Sequence, residues 1–311
     1  MDRLPEHWND ACQCMQAPPL AIFRNVNPGA GMLSGMTADT LPASDSTPRD
    51  APPAALALAL TVLARCGQGL WLLLGLALAT GMYRAGRGET LVPLLIGATF
   101  VGTGLLAALL RLPGTRHWYG WQPGDGRPTA AALLALTSFL PMLGVVALAR
   151  DGNTFWATRI AATLLVLCSA GSLLGQPSQP DARNARVRLD RLVEGLFTGG
   201  LWLWACVLAQ AEPAGTQRPV AVALLVLALL LGLLESLRWH ALRARRAGAR
   251  AALPFAAATL VYAIPGVLLL CAAYLGHAFG VAALAGSAAL AGRVMEQYLY
   301  REALLGMTRT R

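Results

Sequence analysis

Residues 220–237 read VAVALLVLALLLGLLESL, an apolar run with a single ionisable side chain, Glu235. The run is close to the roughly 20 residues that an α-helix needs to cross about 30 Å of hydrocarbon. It is continuous and does not alternate between apolar and polar positions, so it predicts a membrane helix and excludes a strand of a membrane β-barrel. This stretch decides the class of fold, because similar runs fill most of the chain.

Eight such segments follow one another, separated by short connections: Ala54–Met82, Leu91–Leu110, Thr129–Leu148, Phe155–Leu174, Leu192–Ala211, Val220–Leu237, Ala252–Tyr274 and Ala278–Leu299. Of the 311 residues, 56% are hydrophobic and 13% are charged, about half the charged fraction of a typical soluble domain. The sequence therefore predicts an all-α, polytopic membrane helix bundle with about eight transmembrane helices over residues 54–311. It excludes an ordinary soluble enzyme.

Residues 1–53 differ in composition, being polar and rich in Pro, Gly, Asp, Ser and Thr. They predict a disordered leader and lack the basic and apolar regions of a signal peptide. Met32 and Met36 lie inside this stretch, so a start codon assigned too early is an alternative. Cys12 and Cys14 form a lone C-x-C pair, which is too few ligands for a recognisable metal site.

All 25 basic residues are arginine, and their distribution predicts the topology. The two tails and the even-numbered connections hold 18 of them, the odd-numbered connections hold 5, and Arg65 and Arg293 lie within segments. By the positive-inside rule, both termini are expected in the cytoplasm of a bacterium, with the chain in its inner membrane. The formal charge of +9 is thus assigned to membrane-flanking arginine, and no nucleic-acid partner is expected.

Ionisable side chains inside the segments are candidates for function, because they are costly in lipid. Arg65 lies about eleven residues into the first segment, and two interpretations stay open: a functional residue, or a side chain that snorkels to the interface. Glu194 and Glu235 lie near segment ends and are predicted to be interfacial. Arg293 and Glu296 are three residues apart on one helical face, which predicts an ion pair.

Histidine placement argues against a haem. A membrane haem needs axial histidines from helices at a similar depth. His7 lies in the leader, His117, His240 and His277 flank segments, and the last two fall on opposite sides of the predicted topology. We therefore expect neither haem nor metal. A permease or channel would predict internal symmetry between segments one to four and five to eight, and the sequence contains no convincing repeat.

The connection between the second and third segments, RLPGTRHWYGWQPGDGR at 111–127, is unusual in combining arginine and histidine with aromatic residues. Trp and Tyr favour the headgroup level of a bilayer, so an interfacial belt explains the aromatics. The set Arg111, Arg116, His117 and Trp118 also offers hydrogen-bonding groups of the kind that hold a quinone head group. Both interpretations stay open.

Four stretches occur in an order that resembles a known family: TVLARCGQGLWLLLGL at 61–76, LLRLPGTRHW at 109–118, LFTGG at 196–200 and GRVMEQYLYREA at 292–303. The last is similar to an ending of the form G-x-x-x-E-R-W-L-F-F-A-E-A. Together they resemble the membrane-anchor subunits of dimethyl sulfoxide reductase (the DmsC family), which also have eight helices. The loop histidine of that family falls at Arg111, with His117 nearby.

The resemblance implies a non-catalytic, haem-free anchor subunit of an oxidoreductase complex in anaerobic respiratory electron transport. Such a subunit holds a molybdopterin catalytic subunit and an iron–sulfur electron-transfer subunit at the membrane, oxidises menaquinol or ubiquinol, and passes the electrons to the nearest cluster. The candidate quinol-binding residues are then Arg111, Arg116, His117, Trp118, Arg65 and Glu296. A small-molecule permease or channel, and a purely structural anchor without a quinol site, remain alternatives.

Overall fold

The fold was obtained as a computed structural model, which describes residues 53–83, 86–109, 130–149, 155–175, 185–210, 217–243, 257–275 and 279–308. All of them belong to one compact unit, residues 50–311. Helices account for nearly all of these residues, and no strand occurs among them, so the prediction of an all-α fold is confirmed. Residues 1–52 of the predicted leader lie outside the described residues.

The helices follow the predicted segments closely. In chain order they are α1 (Pro53–Ala79), α2 (Arg87–Leu109), α3 (Ala130–Thr137), α4 (Phe139–Leu148), α5 (Trp156–Gly175), α6 (Ala185–Ala209), α7 (Gln217–Arg243), a π-helical turn (Thr259–Ala263), α8 (Ile264–Leu275) and α9 (Phe279–Thr308). Helices α3 and α4 meet at Ser138 and form one rod. The π-helical turn precedes Pro265, which has no N–H to donate to the carbonyl four residues earlier.

Among the described residues, six helices are long and apolar enough to cross a membrane. These spans are Leu58–Ala79, Arg87–Ala107, Ala130–Leu148, Trp156–Gly175, Val187–Ala209 and Val220–Leu237. In the part of the seventh segment that the structure describes, from residue 257 onward, the apolar helix Thr259–Cys271 is shorter. In the eighth, α9 has 30 residues, and Arg293 and Glu296 lower its mean hydropathy. The chain is therefore a multi-pass helical membrane protein. Six helices of its described part meet this criterion, and the number of about eight stays a prediction.

Two groups of helices each enclose an apolar core. In the first half, α1, α2, the α3–α4 rod and α5 surround a core that includes Leu70, Trp71, Leu74, Val101, Val145 and Leu165. In the second half, α6, α7, the π-helical turn with α8, and α9 surround Phe197, Leu201, Trp204, Leu231, Val261 and Ala285. Outward-facing leucine, isoleucine and valine side chains cover both groups, as expected for helices in contact with lipid.

Helices α1 and α6 connect the two halves by packing closely against each other at glycine residues. A Cβ atom added to Gly69 would overlap the backbone of Gly195, and one added to Gly199 would overlap the backbone of Gly69 and Leu70. Small residues let membrane helices approach this closely, so that dispersion contacts hold them together. Gly195 also lies beside Arg65, and Gly200 lies beside Leu73, so the two helices run parallel.

The helix contacts repeat between the halves. Helix α1 packs on α2 and α5 as α6 packs on α7 and α9, and the contact of α1 with α9 has its counterpart in that of α5 with α6. The same four residues, Gly-Leu-Trp-Leu, occur at 69–72 in α1 and at 200–203 in α6. The repeat of the two halves thus consists of this arrangement of helices, with the shared tetrapeptide at an offset of 131 residues.

Candidate functional site: a buried charge cluster

Charged side chains from four helices meet inside the bundle. They are Arg65 of α1, Glu194 of α6, Glu235 of α7, and Arg293 and Glu296 of α9, with the amide of Gln297 beside them. We call this group the Arg293 cluster. Arg65 and Glu296 were candidate site residues in the sequence, 231 positions apart, and the fold brings both into the cluster.

Arg293 lies at the centre and is 1% exposed. Its Nη1 donates to Glu296 Oε2 at 2.5 Å, which confirms the predicted pair. The same nitrogen lies 3.9 Å from Glu235 Oε2, and Nε lies 3.4 Å from Glu194 Oε1. One guanidinium thus faces three carboxylates on three helices, which an arginine achieves through its planar set of five donors.

Glu194 connects this centre to α1. Its Oε2 accepts a hydrogen bond from Arg65 Nη1 at 3.1 Å, and its Oε1 accepts one from Gln297 Nε2 at 2.8 Å. The Arg65 side chain is 12% exposed and the Glu194 side chain 2%. Arg65 therefore turns towards the bundle interior.

The interfacial depth expected for Glu194 and Glu235 stays a prediction, and the helices that carry these residues extend beyond the apolar segments. Helix α6 begins at Ala185, seven residues before the predicted segment, and α7 continues to Arg243, six residues past it. Both carboxylates consequently lie in the bundle interior, at 1% and 3% exposure. Their burial could have been predicted from the general rule that ionisable residues in membrane segments face the bundle interior and pair there.

The depth of the cluster follows from helix geometry. Arg65 lies seven residues after Leu58, where the apolar part of α1 begins, and Glu194 lies seven residues after Val187, where that of α6 begins. At 1.5 Å per residue, each is about 10 Å inside its span. Arg65 and Glu194 therefore lie within the apolar parts of their helices, near the ends where α1 and α6 begin, and Glu235 lies two residues before the end of its span at Leu237.

The cluster combines acidic and basic groups. Its ion pairs join the carboxylates of Glu194, Glu235 and Glu296 with the guanidinium groups of Arg65 and Arg293. Tyr262, in the π-helical turn, interacts electrostatically with Arg293, Glu235 and Glu296. Gathering these groups is costly unless each charge is paired, so it indicates a function beyond packing.

The repeat has no second copy of the cluster. The positions 131 residues before Glu194, Glu235, Tyr262, Arg293 and Glu296 are occupied by Leu63, Gly104, Ala131, Ala162 and Leu165. Their helices occupy equivalent places, yet these residues are apolar. The cluster is therefore a specific addition to the second half, with Arg65 contributed across the α1–α6 contact.

A second polar group lies near the opposite ends of α1 and α6. Gln210 Nε2 donates to Tyr83 Oη at 2.7 Å and to the carbonyl oxygen of Glu89 at 3.0 Å. Burial raises the pKa of the Tyr83 phenol to about 12, although the hydrogen bond to Gln210 acts in the opposite direction. Beside it is an open cavity of about 300 Å³, lined by Gly88, Glu89, Val92, Cys206, Ala209 and Gln210.

The remaining predicted site residues, Arg111, Arg116, His117 and Trp118, lie outside the described residues. Within the described ranges, no group of three or more His, Cys, Asp or Glu side chains is placed to hold a metal ion. The expectation that the chain binds neither haem nor metal stays a prediction.

Comparison of the chain with family models, curated proteins and solved structures finds no match.

Proposed function

We propose that the chain is the quinol-oxidising anchor subunit of a membrane oxidoreductase, of the dimethyl sulfoxide reductase type that its sequence resembles. One observation carries the proposal: Arg65 and Glu296, candidate quinol-binding residues from opposite ends of the chain, belong to a single buried cluster of guanidinium and carboxylate groups. The chain supplies no redox centre of its own in this proposal. The electrons pass to an iron–sulfur subunit and then to a molybdopterin subunit.

The chemistry of quinol oxidation suits such a cluster. A quinol that loses two electrons also releases two protons, and these need acceptors near the head group. Glu194, Glu235 and Glu296 are carboxylates that can accept a proton, while Arg65 and Arg293 can orient the quinol oxygens by donating hydrogen bonds. The quinol, menaquinol or ubiquinol, would enter from the bilayer, with Arg111, Arg116, His117 and Trp118 of the 111–127 connection at the entrance.

The proposal places the protein in the bacterial inner membrane with both termini in the cytoplasm, because arginine favours the tails and the even-numbered connections. The cluster then lies nearer the cytoplasmic face, since it is close to the beginnings of α1 and α6. The partner subunits would dock on that side.

A permease is the second candidate, favoured by the repeat, since parallel repeats are common in transporters. Transporters of this kind bind their solutes near the membrane centre between the repeats. Here that contact is filled by backbone, because α1 and α6 approach each other at Gly69, Gly195 and Gly199. The close approach leaves no room for a solute between these helices and therefore favours the anchor.

Binding of a quinol analogue to the full chain tests the proposal. We expect the chain in lipid nanodiscs to bind decylubiquinol or a short-chain menaquinol, as measured by titration calorimetry. Glu296→Gln, which keeps the size of the side chain, should weaken binding at least tenfold. Glu89→Gln, at the opposite end of the bundle, is the matched control and should bind as the unmodified protein does.

Electron transfer is measured next, with the iron–sulfur partner present. Mixing with quinol should reduce the partner's cluster, and Glu296→Gln should slow this reduction. Binding that is unaffected by Glu296→Gln would exclude the cluster as the quinol site. Absence of any quinol binding would contradict the proposal and favour a purely structural anchor. Uptake of a solute by proteoliposomes would favour the permease.

A further inference from the structure

Two buried polar side chains in the first half have a different environment from the Arg293 cluster. Gln68 of α1 and Ser169 of α5 are each 0% exposed. Neither the Oε1 and Nε2 atoms of Gln68 nor the Oγ atom of Ser169 has a hydrogen-bond partner among the described residues. Buried polar atoms are paired in the great majority of cases, so three such atoms need an explanation.

The helix register places these two residues at the same level. Helices α1 and α5 are antiparallel, because Gly195 lies beside both Arg65, early in α1, and Leu173, late in α5, whereas Gly75 lies beside Ala162. Gln68 is two turns before Gly75 on α1, and Ser169 is two turns after Ala162 on α5. Seven residues return a helix to nearly the same face, so Gln68 and Ser169 occupy the next matching level along this contact.

We propose that Gln68 and Ser169 bind an ordered water molecule between α1 and α5. An amide and a hydroxyl together offer donors and acceptors, and a buried water typically makes about three hydrogen bonds to groups that lack other partners. Leaving these atoms unpaired in the interior of a membrane protein would be unfavourable, because lipid supplies no substitute partner. Water is the ligand that satisfies all three atoms without a charge.

The proposed water lies next to the charged cluster. Gln68 is three residues after Arg65, so the two side chains lie within one turn of each other on α1. Ser169, Gln68, Arg65 and Glu194 then form a row of polar groups that crosses from α5 through α1 to α6. The water would extend the hydrogen-bonding groups of the Arg293 cluster into the first half of the bundle. This site does not depend on the quinol proposal.

A high-resolution structure of the full chain, crystallised in a lipidic mesophase, tests the site directly. We expect a solvent peak within hydrogen-bond distance of the Gln68 amide and of Ser169 Oγ. A direct contact between the amide and the hydroxyl, or a site without a solvent peak, would overturn the proposal.

A double-mutant cycle on the unfolding equilibrium in mixed micelles is the second measurement. Gln68→Leu and Ser169→Ala should each raise the unfolding constant about tenfold, because each leaves the water with fewer partners. The double variant should also show about a tenfold rise, since one change already releases the water. A hundredfold rise in the double variant, or a single variant more stable than the original, would contradict a shared water.

Ser172→Ala is the matched control for this cycle. Ser172 is as buried as Ser169 and lies on the same helix, but its hydroxyl donates to the carbonyl oxygen of Ala131 at 3.3 Å. Combined with Gln68→Leu, it should give the product of the two single effects within about a factor of two.

Discussion

Arg65 and Glu194 are 129 positions apart in the chain, and their side chains form an ion pair of 3.1 Å between α1 and α6. The pair lies at the glycine contact between these helices, where Gly195 approaches the carbonyl oxygen of Arg65. The ion pair and the glycine contact thus act at the same place. Close backbone approach brings the two side chains within reach of each other.

This pair should be energetically coupled. We expect Arg65→Met and Glu194→Gln each to destabilise the protein, and the double variant to be less destabilised than the sum of the two, by about 0.5–3 kcal/mol. The physical reason is that either single change removes a partner from a buried charge. The measurement is a double-mutant cycle on the free energy of unfolding. Additive effects within about 0.5 kcal/mol would show that the pair contributes no specific interaction.

Arg293 should be the most sensitive residue of the cluster. Arg293→Met removes the cation at the centre of the cluster, which faces Glu194, Glu235 and Glu296, and it should cost about 3–5 kcal/mol of unfolding free energy. Arg188→Met, on the exposed face of α6, is the control and should change stability by less than about 0.5 kcal/mol. If Arg293→Met lowered the unfolding free energy as little as Arg188→Met does, the carboxylates would have to be protonated when Arg293 is absent.

The sequence predicted the class of fold and most helix positions, because long apolar runs leave few alternatives in lipid. The pair Arg293–Glu296 was also accessible, since it depends on spacing within one helix. The ion pair between Arg65 and Glu194 could not be predicted, because it depends on which of several apolar helices are neighbours. Leucine-rich helix faces have similar shapes, so a single sequence does not show which helices are neighbours. The glycines at the α1–α6 contact become informative only when the positions of both helices are known.

The glycine contact itself can be tested by adding one methyl group. Gly199→Ala would place a Cβ atom against the backbone of Gly69 and Leu70, so we expect about 1–3 kcal/mol of destabilisation. Gly102→Ala on α2 is the matched control, because its added Cβ meets no atom within 4 Å. The control should be neutral or more stable by up to about 1 kcal/mol, since alanine is the better helix former. Equal changes in unfolding free energy for Gly199→Ala and Gly102→Ala would contradict the close approach of α1 and α6.

Tyr83 predicts a dependence of stability on alkaline pH. Its phenol pKa is raised to about 12 in the folded protein, from about 10 in an unfolded chain, because burial disfavours the phenolate. A raised pKa means that the contribution to stability is fully present below pH 10 and is lost as the pH rises from 10 to 12. Over this window the unfolded chain releases a proton that the folded protein retains, so the unfolding free energy falls by at most about 1.4 kcal/mol per pH unit.

The measurement is the unfolding free energy in mixed micelles between pH 8 and pH 11, for the unmodified protein and for Tyr83→Phe. The variant should be less stable below pH 10, because Gln210 loses the phenol oxygen to which it donates, and its stability should fall less steeply above pH 10. Parallel curves for the two proteins would show that Tyr83 is not the group responsible. Gln210→Leu should also weaken the link between the ends of α2 and α6, because Gln210 donates to the carbonyl oxygen of Glu89 as well.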